Sequence, residues 1–180
     1  MSLIKKMSLF AVILGFASVA RADILLEPYL GYQSGKYKNS GTTTDFSGLD
    51  FGARVGYQQM GFMVGLDYMT GKMTDKAKPK SNDVTPSSFG IFVGYNFPVL
   101  LRVYGVYGFS NSVKLEQTGT TNKMEGSPQL KLGVGYTALP LLSIALEYTT
   151  ATYDEVNGQK MTSDTTSSAY GISVSVPFTL

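Results

Sequence analysis

Six charged residues are the main candidates for chemistry, because each lies in a segment where polar and apolar residues alternate. Three are acidic and three are basic, so ion pairs can form among them. Charged side chains that become buried need partners, and we therefore predict a network of salt bridges in which Arg54 pairs with Glu147. A narrow or gated ion path is the alternative use. The six residues are Glu27, Arg54, Asp67, Arg102, Lys131 and Glu147.

The residue types that the chain lacks restrict its chemistry. The sequence has no histidine and no cysteine, which excludes histidine catalysis, histidine or thiolate metal ligation, disulfides and a lipid-anchored cysteine. Asp50, near the expected loop-side rim, and Asp67 could in principle form an acid–base pair, but ion pairing or solvation is the simpler expectation. We predict no enzymatic activity, no cofactor and no metal site.

The first 22 residues resemble a secretory leader. Lys5 and Lys6 precede an apolar run at residues 7–19, and Ala20-Arg21-Ala22 follows. A basic start, a short apolar core and a small-x-small site are typical of a cleaved signal peptide. We predict cleavage after Ala22, a signal peptide at residues 1–22 and one domain at residues 23–180.

Loss of this leader changes the charge balance. The chain has 15 basic and 13 acidic residues, and removing three basic residues leaves 12 against 13, a net charge of −1. A cationic surface for nucleic acid is therefore not expected.

Eight segments of about ten residues alternate with a period of two, which is typical of strands with one apolar face. After the leader, no apolar run is long enough for a membrane-spanning helix, so entry into a membrane would require a closed barrel. The predicted strands are Ile24–Gln33, Gly48–Gln58, Gly61–Thr70, Ser88–Phe97, Leu101–Ser110, Gln129–Thr137, Leu142–Thr150 and a last strand from about Ser168 to Leu180.

The last strand keeps its alternation to the final residue, as expected of a strand that closes a barrel in lipid. We interpret its apolar face as an assembly signal. This face consists of Tyr170, Ile172, Val174, Val176, Phe178 and Leu180.

Short and long connections alternate along the chain, as they do in outer-membrane barrels, whose turns lie in the periplasm and whose loops lie outside. We therefore predict an all-β fold, an eight-stranded antiparallel up-and-down transmembrane barrel with both termini at the periplasmic end. The short turns are predicted at residues 59–60, 98–100 and 138–141. The long polar loops are predicted at Ser34–Ser47, Gly71–Ser87, Asn111–Pro128 and Ala151–Ser167.

Aromatic residues concentrate at the ends of the apolar strand faces, where two rings would meet the two membrane–water boundaries. Glycines and the six charges occupy the opposite face. Turning that face toward lipid would cost roughly 2–4 kcal/mol for each basic residue at mid-membrane, so we expect it to line the lumen. The predicted girdle residues are Tyr32, Phe51, Tyr57, Phe62, Tyr68, Phe89, Tyr95, Phe97, Phe109, Tyr136, Tyr148, Tyr170 and Phe178.

The whole predicted mature chain resembles the small eight-stranded outer-membrane barrels of Gram-negative bacteria: the OmpA membrane domain, OmpX and the opacity-type surface proteins. The resemblance rests on the leader, the Glu27–Tyr32 strand, the Gly133–Tyr136 and Val93–Tyr95 runs and the closing strand. It implies that the barrel-assembly machinery reads the C-terminal strand. Members usually end in an aromatic residue, whereas this chain has Leu180 at its end and Phe178 two residues earlier.

Taken together, these patterns predict an integral outer-membrane barrel with a structural or surface-interaction role, carried by long extracellular loops. A small gated, porin-like pore is the first alternative, and a soluble periplasmic ligand-binding barrel is the second. The expected partners are outer-membrane lipid, the phosphates of lipopolysaccharide at lysines of residues 71–87, and the assembly machinery. A monomer that binds no nucleic acid is expected.

Overall fold

The computed structural model describes residues 23–76, 82–117, 120–139 and 142–180. These residues form ten strands, and none of them belongs to a helix long and apolar enough to cross a membrane. The predicted leader lies outside the described residues, so its cleavage and the domain boundary remain predictions. The strands are β1 (Asp23–Asn39), β2 (Thr42–Gln59), β3 (Phe62–Asp75), β4 (Asn82–Asn96), β5 (Leu101–Gln117), β6 (Thr120–Gly126), β7 (Gln129–Leu139), β8 (Leu142–Val156), β9 (Gln159–Ser175) and β10 (Phe178–Thr179).

Eight strand positions form a closed antiparallel ring, in the order β1-β2-β3-β4-β5-β7-β8-β9, with β9 pairing back to β1. β6 pairs with the same two neighbours as β7, so these two strands share one position. β10 continues the position of β9 and pairs with the start of β1. The eight-stranded up-and-down barrel predicted from the alternation is confirmed.

Two prolines interrupt the hydrogen-bond ladder between the last strand position and β1. Pro28 lies on β1, and Pro177 lies between β9 and β10. Val176 donates its backbone N–H to the carbonyl of Pro28 over 3.0 Å, but Pro28 has no N–H to return, and Pro177 also lacks one. The ladder resumes at Phe178, which is opposite Leu26. Leu180 and Ile24 then exchange backbone hydrogen bonds of 3.0 and 2.9 Å, so the C-terminal residue completes the closure of the ring.

The apolar face of the ring points outward. Leu132, Val174 and Ile144 are 52%, 39% and 44% exposed, whereas Arg54 and Glu147 are 1% and 5% exposed. A soluble barrel would bury the first group and expose the second. The orientation therefore contradicts the soluble ligand-binding alternative and fits a barrel surrounded by hydrocarbon.

The strands are much longer than predicted, and the expectation of four long loops is wrong over the described residues. β1 has 17 residues and β2 has 18, which consume almost all of the predicted loop at residues 34–47. The two strands meet in a two-residue turn, Ser40-Gly41, with φ values of 43° and 85°. Asn157-Gly158 makes a similar turn between β8 and β9, with φ values of 52° and 76°. These positive values are those of type I′ hairpin turns, which suit the twist of paired strands.

The short predicted turns lie close to their expected places. Met60-Gly61 joins β2 and β3, and residues 97–100 join β4 and β5. The predicted turn at residues 138–141 is only partly described, because residues 140 and 141 lie outside the described ranges.

Beyond the aromatic ring on the loop side, the strands reverse their polarity. In β1, Leu30 and Tyr32 face outward, whereas Lys36 is exposed and Tyr37 turns toward the interior. The projecting strand ends enclose a hydrophobic cluster, which we call the outer core. Its buried members are Phe46, Met73, Val84, Val113, Ala151, Tyr153 and Ala169. A face in contact with water must be polar, so these strands bury their apolar residues inside.

A β-bulge produces this reversal in β5. Phe89 is opposite Ser110 and Gly90 is opposite Gly108, so Phe109 is an extra residue on β5. Before the bulge Tyr104 and Val106 face inward; after it Val113 does so, with 0% exposure. One added residue shifts a period-two pattern to the other face, which brings Val113 into the outer core.

Candidate functional site

The predicted charge network lies in the barrel interior and starts from one rung of three adjacent strands. Glu27 on β1 is opposite Arg54 on β2, which is opposite Asp67 on β3. All three residues are at most 1% exposed. Arg54 Nε donates to Asp67 Oδ2 over 3.1 Å, and Nη1 lies 3.3 Å from Glu27 Oε1. One guanidinium therefore contacts the carboxylates on both sides of it.

Contacts across the lumen connect this rung to the opposite wall of the barrel. Arg54 Nη2 donates to Glu147 Oε1 on β8 over 3.2 Å. Arg102 Nη1 donates to Glu27 Oε1 over 2.5 Å. The Lys131 ammonium lies 3.5 Å from Glu147 Oε2. These contacts join all six predicted charged residues into one cluster.

Three aromatic rings enclose the Arg54 guanidinium. Its central carbon lies 4.6 Å from the ring centroid of Tyr29, 5.5 Å from that of Phe92 and 4.2 Å from that of Tyr104. Such cation–π contacts are strongest where water is excluded. The tyrosine hydroxyls donate to the network as well: Tyr29 to Asp67 Oδ1 over 3.2 Å and Tyr104 to Glu147.

The inward position of these tyrosines beside the charges is not predicted from the sequence above, although the glycines opposite them are a signal. A Cβ atom added at Gly133 would lie 2.2 Å from Cζ of Tyr104, and one added at Gly52 would lie 2.6 Å from Cζ of Tyr29. Both glycines leave the space that an inward tyrosine occupies. An inward aromatic residue paired with an inward glycine on the adjacent strand is the sequence pattern that could have predicted this arrangement.

Hydroxyl and amide groups complete part of the network. Ser173 donates to Glu147 over 3.1 Å and Ser175 to Glu27 over 2.6 Å, while Asn96 accepts from Arg102 Nε over 2.6 Å. Within the described ranges, four buried side chains have polar atoms without a hydrogen-bond partner; they are Glu27, Asp50, Asn111 and Lys131. Buried polar groups of this kind are where ordered water binds.

Asp50 is enclosed in the barrel rather than open at a rim. It is 0% exposed and accepts a hydrogen bond from Gln33 Nε2 over 3.0 Å. Its partner on β3 is Gly71, four residues along the strand from Asp67. This offset separates the two carboxylates by about 13 Å along the strand, so they cannot share a proton or act on one atom.

The interior is filled at three levels. An apolar cluster that includes Leu25, Met63 and Phe92 lies toward the turn side, the charge network lies next, and the outer core lies beyond. Within the outer core, and bordering Gln33 and Gln129, is a cavity of about 30 Å³, which has room for about two water molecules. The six network residues are at most 5% exposed, so bulk water does not reach them from either end of the barrel.

The predicted girdle residues lie on the outer surface. All except Tyr95 are at least 37% exposed. Tyr95 is half-buried, because its ring lies between those of Phe62 and Phe97, at centroid distances of 4.6 and 4.8 Å. The apolar face of the last strand, from Tyr170 to Leu180, is called the C-terminal stripe below. It is also on this surface, where Tyr170 is 73% and Leu180 79% exposed.

Three solved structures with the same architecture are small outer-membrane barrels. Neisserial surface protein A is 19% identical with a TM-score of 0.62, covering 85% of this chain and 97% of its own. Ail, the attachment invasion locus protein of Yersinia pestis, solved with the heparin analogue sucrose octasulfate, is 13% identical with a TM-score of 0.59, covering 87% and 99%. The outer membrane enzyme PagL is 10% identical with a TM-score of 0.53, covering 83% and 99%. At such identities the likeness shows the fold alone.

No curated protein sequence matches this chain significantly. The family profile described as outer membrane protein beta-barrel domain matches residues 7–178, which is nearly the whole chain. The closed ring, the outward apolar face and the buried charges agree with this match. The chain therefore belongs to the outer membrane protein β-barrel domain family, and its place is the outer membrane of a bacterium.

Proposed function

We propose that this protein is a closed, non-conducting barrel with a structural or surface-interaction role, and that the projecting strand ends carry that role. The observation that carries this proposal is the buried ion network that crosses the lumen. A conducting path would have to separate Arg102 from Glu27 and Arg54 from Glu147. Breaking a buried pair leaves uncompensated charges, which is strongly unfavourable.

The projecting strands support the surface role. They extend several residues beyond the loop-side aromatic ring and contain their own hydrophobic cluster. Such a platform is more ordered than a set of long polar loops, so it can present side chains in fixed positions at little cost in conformational entropy. Ail, whose structure holds a heparin analogue, shows that this fold is compatible with a role in attachment.

We propose no catalytic role, although PagL shows that the fold can carry one. The chain lacks histidine and cysteine. Among the described residues, no group of three or more acidic side chains is arranged to hold a metal ion. Asp50 and Asp67 are too far apart along the barrel for joint acid–base work.

The C-terminal stripe, from Tyr170 to Leu180, is proposed as the segment that the barrel-assembly machinery recognises. It is outward-facing and ends where the chain closes on β1, so it remains accessible until closure. We further propose a monomer, because the described ring closes on itself and its barrel wall offers no broad strand edge to a second copy.

Planar-bilayer recording tests the closed lumen. The refolded wild-type protein should give no steady current at moderate voltage. The double variant Glu27→Ala/Arg102→Ala removes both charges of the contact that spans the lumen, and it should give a measurable current. A large steady current through the wild type would overturn the proposal, and voltage-dependent openings of the wild type would favour the gated-pore alternative.

A further inference from the structure

Four exposed lysines lie on one side of the barrel, on or next to β1 and β3, at or beyond the level of the loop-side aromatic ring. Lys36 and Lys38 are on the outward face of β1, Lys72 is on β3 and Lys76 directly follows β3. Asp45 lies between two of them: it is opposite Lys36, and its carbonyl accepts the backbone N–H of Lys76 over 2.8 Å. We call these four lysines the lysine patch.

Asp45 does not neutralise this patch. Its carboxylate lies 4.0 Å from the Lys36 ammonium, with both side chains more than 60% exposed. An exposed pair at this distance contributes little. The excess positive charge therefore remains available to an anion.

The register places the patch at the height of lipid headgroups. Tyr170 is opposite Ser34, and the next outward position on each strand pairs Ser168 with Lys36. Lys36 is therefore two residues, about 7 Å along the strand, beyond the level of Tyr170. Interfacial tyrosines lie at the headgroup level, so the ammonium groups lie where lipid phosphates are found.

A groove of about 360 Å³ opens beside the patch. Its lining combines two ammonium groups, two hydroxyls, one carboxylate and one tyrosine ring, together with a glycine. Ammonium groups bind phosphate, hydroxyls hydrogen-bond to sugar hydroxyls, and a tyrosine ring packs against the apolar face of a sugar. The lining residues are Ser34, Gly35, Lys36, Asp45, Lys76, Ser168 and Tyr170.

We propose that this groove binds a phosphorylated sugar headgroup of an outer-leaflet glycolipid, the lipid A part of lipopolysaccharide. Lys36 and Lys76 contact the phosphate and Tyr170 supports the sugar ring. A lipid-anchored ligand fits better than a soluble one, because the groove begins at the rim of the lipid-facing surface, where acyl chains can follow the apolar strands below it. The proposal rests on the surface-interaction function and names its partner.

Binding of lipid A to the purified full chain in detergent, followed by native mass spectrometry, tests the proposal. The variant Lys36→Gln/Lys76→Gln should weaken binding about tenfold, because it removes two cations beside an anionic headgroup while salt already screens part of their attraction. The control variant Lys114→Gln/Lys160→Gln makes the same charge change at exposed positions outside the groove and should bind as the wild type does. Lipid A without its phosphates should bind as weakly to the wild type as phosphorylated lipid A does to the groove variant.

Several outcomes would overturn the proposal. These are equal affinities of the wild type and the groove variant, an equal loss in the control variant, equal binding of dephosphorylated lipid A, or equally tight binding of an anionic phospholipid or inorganic phosphate. Conductance of the same preparation is recorded separately. A conducting wild type that still needs Lys36 and Lys76 for lipid A would refute the closed lumen but not the lipid site.

Discussion

Arg102 on β5 donates a hydrogen bond to Glu27 on β1 over 2.5 Å, and these strands are four positions apart in either direction round the ring. The contact therefore spans the full width of the lumen. It ends on the same carboxylate oxygen that accepts from Arg54 and Ser175. A single oxygen on β1 thus ties together strands from opposite walls, which makes the interior a structural element rather than an empty bore.

Replacing Arg54 should destabilise the barrel more than replacing any surface charge. Arg54→Ala leaves Glu27, Asp67 and Glu147 without their shared cation, and breaking a buried pair costs about 3–5 kcal/mol. Equilibrium unfolding by guanidinium in detergent measures the change. Lys114→Ala, at an exposed position, should alter the free energy of unfolding by less than about 0.5 kcal/mol. Similar values for both variants would mean that the network does not stabilise the fold.

Gly133→Ala should create a clash with the ring of Tyr104. The added methyl would lie 2.2 Å from Cζ of that ring, and overpacking of this kind costs about 1–3 kcal/mol. Gly105→Ala is the matched control, because its nearest contact would be 3.6 Å away, at Leu132. In a Tyr104→Ala background the penalty at Gly133 should shrink, as a double-mutant cycle of unfolding free energies would show. An undiminished penalty would place the strain elsewhere.

Phe46→Ala should loosen the outer core without opening the membrane-embedded barrel. Phe46 is 4% exposed and its ring lies 4.4 Å from that of Tyr37. Hydrogen exchange should accelerate at residues 34–47 and stay slow at residues 24–32, since the projecting strand ends are not held by the bilayer. Thr43→Ala, at an exposed position of the same strand, should change neither region. Uniform acceleration over both regions would show that they unfold together.

Alkaline pH should destabilise the projecting strand ends. Burial raises the pKa of Tyr153 from 10.0 to about 12 and that of Tyr37 well above its ordinary value. The folded protein therefore keeps protons that the unfolded chain releases near pH 10, so this stabilisation is complete below pH 10 and is lost as the pH rises through 12. Phenolate absorbance should show a late-titrating class of tyrosines that shrinks in Tyr153→Phe. Ionisation of every tyrosine near pH 10 would contradict the burial.

Much of the membrane-embedded half of the fold can be predicted from the sequence. Alternation places Leu132 outside and Arg54 inside because hydrocarbon excludes charge, and the number of alternating segments gives the eight positions of the ring. The partners of the charges follow less directly. Arg54 and Glu147 are 93 residues apart, and their meeting depends on strand stagger, which side-chain type does not reveal.

The projecting half could not be predicted in the same way, because its polarity is reversed. In the projecting half the apolar residues, such as Tyr37 and Val113, lie on the inner face of the strands. In the membrane-embedded half the apolar residues lie on the outer face. Sparse apolar residues among serines and threonines gave no strong period-two signal, so these segments were expected to be loops. The two hairpin turns, at Ser40-Gly41 and Asn157-Gly158, could have been recognised from the sequence, because glycine at the second turn position favours a type I′ turn.

The bulge at Phe109 determines which changes in length β5 can accept. Because Phe109 has no partner on β4, losing it alone would restore a regular alternation from Gly108 to Val113 along β4, with Val113 still inside and Lys114 still in water. Losing Phe109 and Ser110 together would instead turn Val113 outward and Lys114 inward. Among related genes, the loss of one codon here should therefore be commoner than the loss of two.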